Sequence, residues 1–169
     1  LFHPVTALKG VGPRLAELIE KLTGVHLVNL LWHLPVGIID RRHAPQIGEA
    51  EAGLVATITV KVEAHRKPPN KNLPYKIHCS DKTGKLTLVF FHAREDYLLK
   101  ILPEGETRIV SGLVATFAGE TQMTHPDHVL TLDELDGLQA IEPIYPLTTG
   151  LTKKVFSRAI IGTLGKLPD

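Results

Sequence analysis

The stretch LVFFHAREDYLLKIL, Leu88 to Leu102, sets Phe90 and Phe91 beside His92, Arg94 and Tyr97. Aromatic faces next to cations can stack on unpaired nucleobases, a contact of about 1–3 kcal/mol per base. The 169 residues hold only five Phe, three Tyr and one Trp, so three aromatics around one polar junction ask for a reason. Phe90 shares strand parity with Leu86 and Leu88 and is expected in the core, while Phe91 has the opposite parity and points away. Pattern alone leaves two readings open. Either Phe91, His92, Arg94 and Tyr97 form a stacking platform, or the N-terminal helices cover Phe91 and Tyr97 packs on the strands.

A second chemical signal is charge. HRKPPNKNLPYKIHCSDKTGK, residues 65–85, carries six Lys or Arg against one Asp, although the whole chain has a formal net charge of only +1. A polyanion would therefore be met by a local patch, with Arg66, Lys67, Lys71, Lys76 and Lys82 as candidate phosphate contacts. The alternative is a loop kept soluble by its lysines. LKGVGPRLAEL, residues 8–18, has the form of a helix-hairpin-helix turn, in which Gly10 and Gly12 would let backbone amides approach a phosphate; a turn without a ligand has the same sequence. Arg41 and Arg42 in IIDRR are further candidates for DNA contact, against pairing with Asp40 or an acid of GEAEAG.

Other chemistries find little support. No glycine-rich loop ends in Gly-Lys-Ser or Gly-Lys-Thr, and neither HExxH nor GxSxG occurs, so catalysis confined to these residues is not expected. His125 and His128 flank Asp127 without a third ligand and read as hydrogen-bonding loop residues rather than a metal site. Cys79 is the single cysteine, which rules out an intramolecular disulfide, and His78 beside it faces the other side of its strand. A reduced, cytoplasmic compartment is the simplest expectation. No apolar run approaches the roughly 18 residues needed to span a bilayer.

The elements that must position these residues follow from periodicity. Leu15, Leu18, Ile19 and Leu22 recur at helical spacing between Pro13 and Gly24, and a second short helix over 28–33 ends before Pro35. From Leu54 the period becomes two: Ala56, Ile58, Val60 and Val62 share one face and Thr57, Thr59, Lys61 and Glu63 the other. YKIHCS, LTLVFF, TRIVSGLVATF and QMTHP follow as strands, with a helix over 93–102 after the third. Strand, strand, strand, helix, strand, strand is the order of a mainly β, five-stranded OB-fold Greek-key barrel. A generic five-stranded α+β sheet gives much the same string. The expected layout is an N-terminal helical segment over 1–53, the barrel over 54–145, and a linker with a helix over 146–169, where Val155, Ala159 and Ile160 form an apolar side.

The segments LKGVGPRLAELIEKL, LLWHLPVGIIDRR, DKTGKLTLVFFHA, LPEGETRIVSG, GETQMTHPDHV and EPIYPLTTGLTKKV, in this order over nearly the whole chain, resemble the wedge domain of RecG, the bacterial ATP-dependent branched-DNA helicase. The most specific part is QMTHPD followed by PIYPLTTGLT. The resemblance implies a barrel that sits at a replication fork or Holliday junction and splits nascent strands from their templates. It implies partners in branched DNA, single-stranded DNA and the protein's own motor domains, the motor domains being where ATP and Mg²⁺ act. It also implies stacking roles for Phe91 and Tyr97, although HARED here is a longer spacer than in many relatives. The chain is expected to stop where the linker to the motor begins, and so to bind forks without unwinding them. A protein-interaction module with the same fold is the rival expectation.

Overall fold

In the computed structural model residues 1–70 and 72–167 are described. In chain order the elements are a 3₁₀ turn Val5–Ala7, α1 (Pro13–Leu22), α2 (Leu27–Trp32), β1 (Gly37–Asp40), a 3₁₀ turn Ile47–Glu49, β2 (Val55–Arg66), β3 (Tyr75–Ser80), β4 (Lys85–Phe90), α3 (Glu95–Ile101), β5 (Thr107–Phe117), β6 (Glu120–Thr124), β7 (His128–Leu130), a 3₁₀ turn Leu132–Gly137, β8 (Ile141–Ile144) and α4 (Lys153–Leu164). They form two units, one joining Leu1–Ile38 to the residues from Pro143 onward, the other comprising Ile39–Glu142.

The second unit is the barrel. β2 pairs antiparallel with β3, β3 with β4 and β5 with β6, while β4 runs parallel to β6. Seven register pairs from Val55↔Leu113 to Lys61↔Thr107 join β2 to β5 and close the ring at five strands. This is the OB-type closure, with α3 inserted between the third and fourth barrel strands. Ala56, Ile58, Val60 and Val62 point inward, as period two requires, and meet Ile77, Leu86, Leu88, Val110 and Met123. Leu98 and Leu102 plug the barrel from α3 and its end, both fully buried. A fully buried side chain of this size contributes about 1.5–3 kcal/mol, so the core outweighs any surface term. The β3–β4 turn is fixed by Asp81, whose carboxylate accepts from Ile47 N (2.7 Å), Thr83 N and Oγ1 (both 2.7 Å) and Gly84 N (2.9 Å).

Thr57 breaks the alternation. It has the parity of the polar face yet is buried, because its hydroxyl donates to the carbonyl of Arg41 and shares a 2.9 Å bond with Ser111 directly across the ladder. Three strands lie outside the sequence expectation: β1 and β8, which pair with each other, and β7, which adds to β5. Each has only three or four residues, too few to display a period.

The helical unit has its own core. Val5, Leu8, Ala16, Ile19, Leu27 and Leu30 from the N-terminal elements pack with Leu151, Phe156, Ala159 and Ile160. The segment expected as a linker thus folds back and completes this core through α4, whose N-cap Thr152 accepts from Val155 N. The expected helix-hairpin-helix is also modified. The element before the glycine turn is one 3₁₀ turn instead of an α-helix, and α1 begins from Gly12 as N-cap with Pro13 at its first position, where the missing N–H costs nothing.

Candidate nucleic-acid interface

β4 ends at Phe90, which is buried in the barrel, and the next residue leaves the sheet. Phe91 is 44% exposed and Tyr97, on the first turn of α3, 57% exposed. Both line a cleft of about 520 Å³ whose remaining wall includes Leu98, Ile101 and the segment His125–Leu130. Helix α3 starts at Glu95 and brings Tyr97 to the cleft that Phe91 borders.

The conformation of Phe91 is held from its neighbour in the β6–β7 connection. Its N–H donates to His125 Nε2 at 3.0 Å, and the His125 ring lies 5.8 Å from Phe90, edge-on, and 5.9 Å from Phe91, tilted by 34°. Nε2 must then be the unprotonated nitrogen. Both His92 (φ +54°) and His125 (φ +46°) occupy the left-handed region, which costs a non-glycine residue about 1–2 kcal/mol. Such strain gathers where a structure over-determines a functional conformation. From sequence His125 reads only as a hydrogen-bonding loop residue. Its place in QMTHPD was the signal that it matters, but its partner, a backbone amide 34 residues away, has no mark in the sequence.

Of the basic candidates, Arg66 and Lys76 face each other across β2 and β3, both with access to solvent, and no ion pair among the described residues engages either. Like charges directly opposite on a ladder repel, which an anion between them would relieve. Lys67 meets Glu95 at 2.5 Å and Arg94 meets Asp96 at 2.7 Å, so each would have to exchange a carboxylate for a phosphate. The hydrogen bond to Glu95 also raises the Lys67 pKa. Lys67, Pro68, Pro69, Asn70 and Leu73 form one side of a second cleft, about 580 Å³, faced by Tyr75, Phe90 and His92–Glu95. Lys82 lies in the β3–β4 turn, at the opposite end of β3 from Tyr75. Lys71 falls outside the described residues.

Arg41 corrects the expectation of DNA contact. Its side chain is only 1% exposed and is fully engaged: Nη2 donates to Asp127 (3.0 Å) and Glu142 (2.8 Å), and Nη1 to Ser111 (3.0 Å). A buried guanidinium is stable only with such partners, and three elements converge to provide them. Arg42 is exposed but forked onto Asp40, whose carboxyl its hydrogen bonds pull down to about 2. Gly10 (φ +84°) and Gly12 lie exposed in the helical unit with open space around each. Burial pushes the Cys79 thiol up to about 12, far from nucleophilic use. Among the described residues no three His, Cys, Asp or Glu converge as a metal site, and no helix is long and apolar enough to cross a membrane.

These observations define the class of fold, a closed OB-type barrel with Phe91 and Tyr97 exposed on one cleft. The family model described as the RecG wedge domain matches residues 4–166, and the chain belongs to that family. It is 28% identical over 170 residues to the ATP-dependent DNA helicase RecG of Escherichia coli strain K12, covering 98% of this chain and 23% of that one. The RecG of Mycobacterium bovis is 31% identical over 136 residues, 75% of this chain and 18% of the relative. The chain thus spans about a fifth to a quarter of the length of these curated relatives. The solved structure of RecG bound to a three-way DNA junction superposes with a TM-score of 0.77 at 25% identity, over 95% of this chain and 22% of that one.

Proposed function

We propose that this chain is the junction-reading wedge of a RecG-like branched-DNA helicase acting in the bacterial cytoplasm. The observation that carries the reading is Phe91, left exposed beside a buried Phe90, fixed by His125 and sharing a cleft with Tyr97. Family membership and the likeness to a RecG captured on a three-way junction support it.

On this reading the barrel parts the strands of a replication fork or Holliday junction by its bulk. Phe91 stacks on the base exposed at the branch point and offsets the stacking lost when the duplex opens, with Tyr97 as the second stacking surface. Arg66 and Lys76 hold phosphates, and Lys67 and Arg94 join them by leaving their carboxylates. Lys71, Lys82, Arg42, Gly10 and Gly12 are further backbone contacts. Selectivity would be for junction shape rather than base sequence. Strand separation would be driven by motor domains outside this chain, which would bind ATP and Mg²⁺; the sequence here has no phosphate-binding loop for them.

Fluorescence anisotropy with a three-way fork, a linear duplex and a single strand, in a salt series, tests this directly. The fork should bind tightest, with affinity falling steeply as salt rises, and Phe91→Ala should lower fork affinity about tenfold while changing linear-duplex affinity little. A folded sample that binds none of the three at low salt would make the barrel a protein-docking module instead.

A further inference from the structure

Arg41 is itself buried, yet it reaches the platform in two steps. Asp127, held by Arg41 at 3.0 Å, is two residues from His125, and the residue between is proline, whose fixed φ transmits position along the chain. The same segment is pinned twice more. His125 N donates to Val89 O at 2.9 Å, and a Cβ on Gly112 would come within 3.1 Å of Pro126 Cα, so the loop lies close against the β5 backbone. These restraints converge on a residue held in left-handed backbone geometry, and the result is an imidazole nitrogen placed to accept the Phe91 N–H.

We infer that Arg41 is a positioning residue for the stacking platform: through Asp127 it holds the His125–Phe91 pair in the geometry that selects a branch point. This rests on the stacking reading of Phe91 proposed above. Arg41 itself touches no DNA. The guanidinium serves because it can satisfy Ser111, Asp127 and Glu142 together, which an ammonium on a flexible stem cannot do with the same geometry.

Replacing Arg41 removes a partner from Ser111, Asp127 and Glu142 at once and could unfold the barrel, so the test is made at Asp127, whose side chain is half exposed. Asp127→Ala removes the acceptor, whereas Asp127→Asn keeps an oxygen for Arg41 and loses only the charge. Two readouts are taken, the ratio of fork to linear-duplex affinity and, without DNA, the ¹⁵N–¹⁵N coupling through the hydrogen bond from Phe91 N to His125 Nε2. Asp127→Ala should abolish the coupling and lower the fork preference about fivefold, with Asp127→Asn close to the parent in both. In the Phe91→Ala background the Asp127→Ala effect should vanish, because both act on one platform. A coupling unchanged in Asp127→Ala overturns the positioning role whatever the DNA does. Equal gains in affinity from both Asp127 variants also overturn it, since they would report only a lost negative charge near phosphate. If the coupling is lost as expected but Phe91→Ala leaves fork preference intact, the link from positioning to fork selection falls along with the stacking reading.

Discussion

Glu95 meets Lys67 at 2.5 Å, with both side chains well exposed, 41% and 68%. An exposed pair of this kind is worth little to stability, and its greater effect is on what Lys67 can bind next. A phosphate must displace Glu95, so removing that competitor should help. Glu95→Gln is expected to raise DNA affinity about threefold at low salt and to steepen the slope of log K against log salt by about one, read from an anisotropy salt series. An unchanged slope would remove Lys67 from the phosphate contacts. Single residues were unevenly legible. Strand parity separated buried Phe90 from exposed Phe91, because alternation is local. The fate of Arg41 was hidden, since Ser111, Asp127 and Glu142 lie 70, 86 and 101 positions away.

At the level of elements, the β3–β4 turn carries a compact four-bond cap on one carboxylate. Burial alone would raise the Asp81 pKa, but hydrogen bonds from Ile47, Thr83 and Gly84 outweigh it and hold the group below its ordinary 3.8. A depressed folded value contributes stability that is present above pH 3.8 and lost as pH falls through the lower folded value. Asp81→Ala should therefore cost roughly 1–3 kcal/mol in a urea melt at pH 7, and the deficit should shrink as both proteins are taken into acid below that range. A gap that stays constant down to pH 2 would assign the effect to packing. The turn was readable from Asp81 and Gly84, as were the five barrel strands and α3, because each is long enough for its period or has its own turn chemistry. β1, β7 and β8 were not, and in β8 Pro143 argues against a strand outright.

For the molecule as a whole, the sequence suggested three consecutive parts, whereas the helical unit is discontinuous: α4 belongs to the core begun by α1 and α2. Helix α4 was legible as a helix, but its destination depends on contacts more than a hundred residues apart, which no local pattern encodes. Phe156 is fully buried there, with Tyr145 at 5.2 Å and His33 at 5.3 Å, both edge-on. Phe156→Ala should cost the helical unit roughly 3–5 kcal/mol. Hydrogen exchange should show amides of α1 and α2 losing protection while the strands of the barrel keep theirs; equal loss in both would mean that the two cores unfold as one.

Because both segments of the helical unit flank the barrel in the chain, they emerge from the ribosome at different times. The first 38 residues carry half of a hydrophobic core whose other half is not yet made. At about 5–20 residues per second, the barrel between them takes several seconds to synthesise and can close on contacts of its own. During that interval the cluster around Ile19, Leu27 and Leu30 lacks Leu151, Phe156, Ala159 and Ile160, and a nascent chain with such a half-built core is a natural client for a holding chaperone. Reversing the order of synthesis by circular permutation, with the two outer segments made contiguous, would shorten that wait.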